Sequence, residues 1–286
     1  MKVIMVPVAD RPECRVALDQ AFRLAARLSA NVVGYHLRPH REEHHATRGA
    51  RLPLVVGETE LPELAESELR LNSANAEKLF RLMAAEHGVA IASKPRRADH
   101  PLAYWNVMVG TPDKLFGIIG PTADCIVVSR PRRKGSGPAR AFLLAALLNA
   151  GRPLLIMPQR PVRPPGQRIL VAWNQGPHAA AALAAAMPLL QSAGEVHLVC
   201  CGKEEMPGPK TVHVRNYLLH WGIESQIHRE RGRDVTRELL GVYKAHRCDL
   251  LVMGAYSRGQ LRERILGGVT HEMLTDHDVP VFALHT

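Results

Sequence analysis

The sequence predicts an α/β protein made of two tandem open parallel five-stranded sheets, each with helices on both faces. Short apolar runs suited to buried parallel strands alternate with stretches of helical periodicity along most of the chain. The second half also repeats the first: residues 123–129 (ADCIVVS) correspond to residues 248–254 (CDLLVMG), and residues 152–157 (RPLLIM) to residues 279–284 (VPVFAL). Because 286 residues are enough for two hydrophobic cores, the repeat predicts two domains.

The first domain is predicted to span residues 1–158. Its strands are expected at residues 2–9, 31–37, 103–109, 124–129 and 153–157, and its helices at residues 13–28, 65–87, 111–119 and 139–149. Residues 39–64 are rich in proline, glycine and charge, and we expect them to be an insertion. The second half has no counterpart of that length.

A proline-rich linker is predicted at residues 159–166, because proline holds the chain extended and removes a hydrogen-bond donor. The second domain is expected to span residues 167–286, with a final helix after the turn that follows residue 254. Its other elements are expected as strands at residues 168–173, 195–201, 223–228, 249–254 and 279–284, and as helices at residues 177–191, 210–221 and 234–246. In open parallel sheets ligands bind beyond the carboxyl ends of the strands, so a site is expected in the loops after the first and fourth strands of each half.

Composition and charge narrow the classes of function. Hydrophobic residues at 46% and charged residues at 22% are typical of a soluble globular protein, and no apolar run approaches the length of a membrane-spanning helix. The amino terminus resembles a first strand rather than a signal peptide, which predicts a cytoplasmic protein with no membrane partner. Net charge is +10, but the arginines are scattered and no nucleic-acid-binding motif accompanies them, so no nucleic-acid partner is expected. The five cysteines lack a C-x-x-C spacing and are expected to be reduced core residues.

The strongest candidate site is a glycine-bearing turn after the strand at residues 249–254. The turn and the helical stretch beyond it contain Gly254, Ser257, Gly259, Gly267, Gly268 and Thr270. Glycine lets backbone amides approach an oxygen-rich ligand, and amides at the start of a helix are good anion donors. The turn matches neither the Walker P-loop nor the G-x-G-x-x-G dinucleotide pattern. The glycines are therefore either part of an anion site or simply permit a tight turn and close helix packing.

The repeat, the five strand-helix steps and the segment at residues 249–283 resemble the universal stress proteins, in a tandem form with two domains that share the adenine-nucleotide alpha-hydrolase-like fold. The nucleotide-binding branch of that family has the pattern G-x-x-G-x9-G-[ST] in this segment. Here Gly254 and Gly267 match the pattern. Ser257 stands where a phosphate-contacting glycine is usual, and Gly268 stands where a serine or threonine is usual.

The resemblance implies an adenine nucleotide, ATP, ADP or AMP, in the second domain, with Mg²⁺ accompanying it. Asn174 takes the place of a family Asp near the adenine, and the backbone of Cys201 would meet the adenine edge. The residues that the resemblance places at the site are Asn174, Cys201, Gly254, Ser257, Arg258, Gly267 and Gly268. We expect a bulky residue in place of Gly254 to abolish binding while leaving the fold intact.

The resemblance implies a regulatory stress protein rather than an enzyme, with slow, metal-assisted ATP hydrolysis left open, and no catalytic residue is assigned. The alternative is a nucleotide-free interaction scaffold, in which the strands at residues 153–157 and 279–284 mediate domain pairing and partner docking. In the family these final strands often form dimer contacts, so the expected partners are the other half of the chain, a second copy in a homodimer, or an unknown protein. The loss of two glycine-pattern residues favours the scaffold, whereas the retained Gly254 and Gly267 favour the nucleotide.

The first half departs further from the pattern, with Ser129 and Arg132 at the glycine positions, although Asp10 keeps the family residue type. Its turn is strongly basic and contains Arg130, Arg132, Arg133, Lys134 and Arg140. We interpret that turn as a flexible solvated loop, with an electrostatic clamp for a polyphosphate as the alternative. A second cluster holds His36, His40, His44 and His45, but Pro39 interrupts it and no further ligand is identifiable, so no metal site is predicted.

Overall fold

The computed structural model describes residues 1–39, 66–131, 137–160, 163–232, 234–255, 268–275 and 278–285. The chain divides into two compact units, Met1–Arg152 and Pro153–Thr286, called here the first and second units. Parallel strands alternate with helices in both, which confirms the predicted α/β class. Apart from residue 39, the expected insertion at residues 39–64 lies outside the described residues.

In the first unit, the described strands form a parallel sheet in the order β3-β4-β2-β1-β5. The strands are β1 (Val3–Pro7), β2 (Asn31–Arg38), β3 (Ala90–Ile91), β4 (Leu102–Val109) and β5 (Cys125–Ser129). The helices are α1 (Pro12–Leu28), α2 (Glu66–Glu86), α3 (Pro112–Ile118) and α4 (Gly137–Asn149), with a short 3-10 turn at Gly120–Thr122. The middle residues of β1 and nearly all of β5 are buried, as their continuous apolar runs predicted.

In the second unit, the described strands follow the order β6-β11-β10-β7-β8-β9. The strands are β6 (Leu154–Met157), β7 (Arg168–Ala172), β8 (Glu195–Cys201), β9 (Gln226–Glu230), β10 (Leu250–Gly254) and β11 (Val281–Leu284). The helices are α5 (Pro177–Ala185), α6 (Met187–Leu190), α7 (Thr211–His220), α8 (Val235–Ala245) and α9 (Gly268–Thr275). Within the part of the chain that the structure describes, no helix is long and apolar enough to cross a bilayer.

Strand β6 differs from its predicted place as the closing parallel strand of the first domain. It lies in the second unit and pairs antiparallel with β11, with Phe282 opposite Leu155 and Ala283 opposite Leu154. All four residues of each strand are buried, so the pairing covers the backbone edge of an apolar strand. The two segments, residues 153–157 and 279–284, thus contact each other within the second unit.

An aspartate anchors the start of β1 in the first unit and the start of β7 in the second, at equivalent positions of the repeat. In the first unit, the Asp124 carboxylate accepts hydrogen bonds from the backbone N–H groups of Lys2 and Val3, at 2.5 and 3.0 Å. In the second unit, the Asp249 carboxylate accepts from the N–H groups of residues 166, 167 and 168, at 2.6 to 3.2 Å. The repeat seen in the sequence thus extends to a shared hydrogen-bonding arrangement.

Two predicted elements of the second unit have different bounds. The helix expected at residues 177–191 divides into α5 and α6, because Pro188 carries no N–H and its ring disfavours a continuous helix through Ala186. The strand expected at residues 223–228 begins only at Gln226. The N–H of Ile223 instead donates to the carbonyl of Leu218 at 3.0 Å and so completes the end of α7.

Candidate functional site

The carboxyl ends of β7, β8 and β10 meet at one edge of the second unit, because the three strands are neighbours in the sheet. Asn174 follows β7, Cys201 ends β8 and Gly254 ends β10. Three of the predicted site residues therefore lie at the same edge, called here the carboxyl edge. Gly268 is the first residue of α9, whereas Ser257, Arg258 and Gly267 lie outside the described residues.

The turn after β7 is held in a fixed conformation by side-chain hydrogen bonds. Asn174 is exposed, and its Oδ1 accepts from the N–H of Gly176, the residue that precedes α5, at 3.0 Å. Gln175 has a left-handed backbone, with φ of 61°, and is buried. Such a conformation is uncommon for a residue with a side chain and needs surrounding contacts to hold it.

The contacts that hold Gln175 come from the loop after β8. The Gln175 side-chain amide donates to the carbonyls of Met206 and Gly208, at 2.9 and 3.0 Å, and its Oε1 accepts from the Met206 N–H at 3.1 Å. Trp173, which precedes this turn, donates its indole N–H to the carbonyl of Pro209 at 2.7 Å. These bonds fasten residues 202–210 to the end of β7 at the carboxyl edge.

A second anchor of this loop is Glu204. One carboxylate oxygen accepts from the Thr211 N–H at 2.5 Å, and the other lies 3.5 Å from Nε of Arg229. Burial alone would raise the pKa of Glu204, but the Thr211 hydrogen bonds and the Arg229 charge lower it overall. The ionised Glu204 side chain therefore links this loop to the start of α7 and to Arg229.

Cys201 contributes a thiol that stays protonated. Burial raises the pKa of the Cys201 thiol to about 12, and the neighbouring Glu238 carboxylate raises it further in the same direction. All five cysteines are free, and burial likewise raises the pKa of Cys14 to about 11 and of Cys248 to about 12. Cys125, Cys200 and Cys248 are buried as expected, whereas Cys14 and Cys201 are half-buried. Any contact of Cys201 with a ligand would involve its backbone or a neutral thiol.

Gly254 is required for packing. A Cβ atom placed on it would lie 2.6 Å from the backbone nitrogen of Ala179 and 2.6 Å from the carbonyl carbon of His178, in the first turn of α5. A side chain here would displace helix backbone, so we expect a bulky replacement to destabilise the fold, in contrast to the expectation from the sequence. The contacts of Gly254 thus agree with the alternative interpretation from the sequence, in which the glycine permits close helix packing.

The residue equivalent to Gly254 in the first unit, Ser129, also contacts the first turn of a helix, but through a hydrogen bond. Ser129 ends β5, and its hydroxyl donates to the carbonyl of Glu13 in the first turn of α1. Asp10, the residue that keeps the family type, is exposed and accepts a hydrogen bond from the Asn75 side chain of α2 at 2.7 Å. Both residues are thus engaged within the first unit.

The basic turn of the first unit is only partly described. Arg130 is 3% exposed, so it is not part of a flexible solvated loop as we expected, whereas Arg140 is exposed on α4. Arg132, Arg133 and Lys134 lie outside the described residues. Arg130 directly follows β5 and is covered where the chain leaves the sheet.

Two histidines at the carboxyl edge were missed by the sequence analysis. His178 in α5 stacks on His285 after β11, with ring centroids 5.6 Å apart, and Nδ1 of His285 lies 3.2 Å from the Ala255 carbonyl oxygen. Burial and the neighbouring His285 lower the pKa of His178. Neither residue belongs to a recognisable motif, and only the β10-β11 pairing brings them together.

Comparison with known proteins agrees with this architecture. Residues 166–285 match the universal stress protein family. These residues form a universal stress protein domain. The match covers the carboxyl edge and the glycine turn, so the resemblance inferred from residues 249–283 is confirmed for this half of the chain. No curated protein matches the sequence significantly.

Solved structures extend the likeness in fold to the whole chain. A universal stress protein from Archaeoglobus fulgidus has 16% identity and a TM-score of 0.71, covering 99% of this chain and 96% of its own. A provisionally named universal stress protein from Pseudomonas aeruginosa has 16% identity and a TM-score of 0.56, covering 100% and 93%. A protein of unknown function from the same species has 15% identity and a TM-score of 0.56, covering 100% and 92%. At these identities the likeness establishes the fold.

Proposed function

We propose that the second unit binds an adenine nucleotide at its carboxyl edge and that the protein acts as a regulatory, nucleotide-responsive stress protein. The observation that carries the proposal is the meeting of Asn174, Cys201 and Gly254 at one edge of a universal stress protein domain. Asn174 and Cys201 would lie near the base and Gly254 near the ribose. Ser257, Arg258, Gly267 and Gly268 would lie near the phosphates, with Mg²⁺ accompanying ATP or ADP.

A regulatory role fits the chemistry of these groups better than catalysis does. Asn174 has no titratable proton, and the Cys201 thiol is held protonated, so neither residue supplies a general base or an activated nucleophile. Nucleotide binding at such a site would act by ordering nearby loops or by changing the affinity of the protein for a partner. The turn after β7 and the loop at residues 202–210 share hydrogen bonds, so a ligand that contacts Asn174 would act on that loop.

The proposal is tested by calorimetric titration of nucleotide-free protein with ATP, ADP and AMP in the presence of Mg²⁺. We expect the double variant Ser257→Gly with Gly268→Ser, which restores the family pattern, to bind roughly 10-fold more tightly, since one hydrogen bond to a charged group contributes about 1.5 kcal/mol or more. The matched control is Asp10→Asn in the first unit, which we expect to leave affinity unchanged. If the natural protein has a native circular dichroism spectrum but binds none of the three nucleotides, the proposal is refuted.

A nucleotide-free scaffold is the second candidate, and one observation favours it. Gly254 packs closely against α5, so its presence does not require a ligand. Under this proposal the natural chain would bind no nucleotide, and only the variant with the restored pattern would. The same titrations therefore decide between the two functions.

A further inference from the structure

Three histidines of the second unit meet on one side of the sheet, although they are far apart in sequence. His197 lies in β8, His228 lies in β9 and His246 follows α8 directly. In the parallel register Val199 is opposite His228, and residues 197 and 199 point to the same face of β8, so both strand histidines share that face. One ring nitrogen from each of the three histidines lies within 4.8 Å of the other two.

The separation of two of these nitrogens suits a shared metal ion. Nδ1 of His197 lies 3.1 Å from Nε2 of His228. Two imidazoles bound to one tetrahedral Zn²⁺ at about 2.0–2.1 Å would place their nitrogens roughly 3.3 Å apart. The His246 ring is close to both, with centroids 4.7 Å from His197 and 4.2 Å from His228. Small side-chain rotations would bring all three nitrogens to bonding distance.

A carboxylate orients the buried member of the cluster. His197 is 1% exposed, and its Nε2 has no hydrogen-bond partner, although Oε2 of Glu195 lies 3.5 Å away. Glu195 is held in turn by Arg168 at 2.9 Å. A carboxylate behind one ring nitrogen of a histidine fixes the proton there and leaves the other nitrogen free to ligate a metal.

The cluster can be reached from solvent. His228 and His246 line a cleft of about 510 Å³ between β9 and α8, and His197 lies behind them. Glu230 and Gly241 also line it, and nothing lies within 4 Å of the Cβ position on Gly241, so that wall is open. An ion held by the three imidazoles would keep one coordination position facing the cleft, as in zinc sites that exchange a water molecule.

We propose that His197, His228 and His246 form a Zn²⁺ site with a fourth, exchangeable position open to the cleft. Three neutral nitrogen donors favour Zn²⁺ over Mg²⁺ or Ca²⁺, which prefer oxygen. Burial and the neighbouring imidazoles lower the pKa of His197 and of His228, which keeps these donors neutral. The buried ligand lies away from the carboxyl edge, because His197 is near the start of β8 and Cys201 ends it, about 13 Å apart along an extended strand. The cleft itself reaches Glu230 and Glu238, which lie beside Cys201.

The test is a titration of metal-free, full-length protein with Zn²⁺ by calorimetry and with Co²⁺ by visible absorption, which reports a tetrahedral site. Because His40, His44 and His45 offer other imidazoles, all proteins carry His40→Gln, His44→Gln and His45→Gln. We expect one equivalent to bind, and His228→Gln or His246→Gln to weaken binding on the order of 100-fold. The matched control is His220→Gln, an exposed histidine at the end of α7, which should change nothing.

Glu195→Gln tests the orienting carboxylate and should weaken Zn²⁺ binding about 10-fold, the lower end for such outer groups. Should the histidine variants fail to fold, Zn²⁺ must protect His228 and His246 from diethyl pyrocarbonate in the protein that retains them, while His220 stays reactive. The proposal is overturned by an absence of binding at micromolar Zn²⁺, by affinity unchanged in both variants, or by a lack of that protection.

Discussion

Replacing Gly254 by alanine tests whether this glycine is required by the fold. The added Cβ would lie 2.6 Å from two backbone atoms of α5, where ordinary contact is 3.4–4 Å, so the helix start must move by about 0.8 Å. Overpacking against backbone costs typically 1–3 kcal/mol, and we expect about 2–3 kcal/mol here because no flexible side chain can yield. At about 2–4 °C per kcal/mol for a unit of this size, Tm should fall by roughly 5–10 °C.

The measurement is urea denaturation followed by circular dichroism, with thermal melting alongside. The matched control is Gly241→Ala, within α8, where nothing lies within 4 Å of the new Cβ. Alanine there should raise the free energy of unfolding by about 0.5–1 kcal/mol, because it restricts the unfolded chain and favours the helix. If Gly254→Ala were as stable as the natural protein, the assignment of Gly254 to helix packing would be refuted.

Three further predictions concern anchors of the fold. Asp249→Asn should lower the free energy of unfolding by about 2 kcal/mol in urea titrations, since a charged acceptor of backbone N–H groups is lost; an unchanged midpoint would contradict this. Gln175→Ala should speed hydrogen exchange at residues 202–210 in mass spectrometry, because three hydrogen bonds disappear, and unaltered protection there would count against the fastened loop. Burial lowers the pKa of His36 despite its hydrogen bond to the Val8 carbonyl, so the unfolded chain takes up a proton first as pH falls below 6.5 and the free energy of unfolding declines. The variant His36→Asn keeps a donor to Val8 and should lose less unfolding free energy between pH 7.5 and 5.5 in urea titrations. Equal losses in the two proteins would exclude the mechanism.

The fold class could be predicted because it depends on local patterns. The apolar runs of β1, β5, β7 and β10 are continuous, and each is buried in the structure. Strand pairing could not be predicted in the same way, because a local apolar run does not indicate which neighbouring strand it will pair with. Residues 154–157 look like any closing strand of a parallel sheet, yet they pair antiparallel with β11. That choice depends on tertiary packing.

The candidate site could be predicted only in part, for a similar reason. A glycine pattern marks Gly254, but not the α5 backbone that lies against it. The three histidines at positions 197, 228 and 246 follow no motif, because their meeting depends on the register of β8 with β9 and on where α8 ends. A strand shifted by one residue would turn His228 to the other face of the sheet.

The antiparallel pairing of β6 with β11 determines where the chain can be divided. A fragment that begins at residue 167 would keep the Asp249 bonds to residues 167 and 168 but would leave the backbone of Val281–Leu284 open along one side. A fragment that begins at residue 153 would carry its own cover for that strand. Residues 166–285, the portion matched by the family, lack β6, so a domain cut to that length would expose an apolar strand edge that is paired in the full chain.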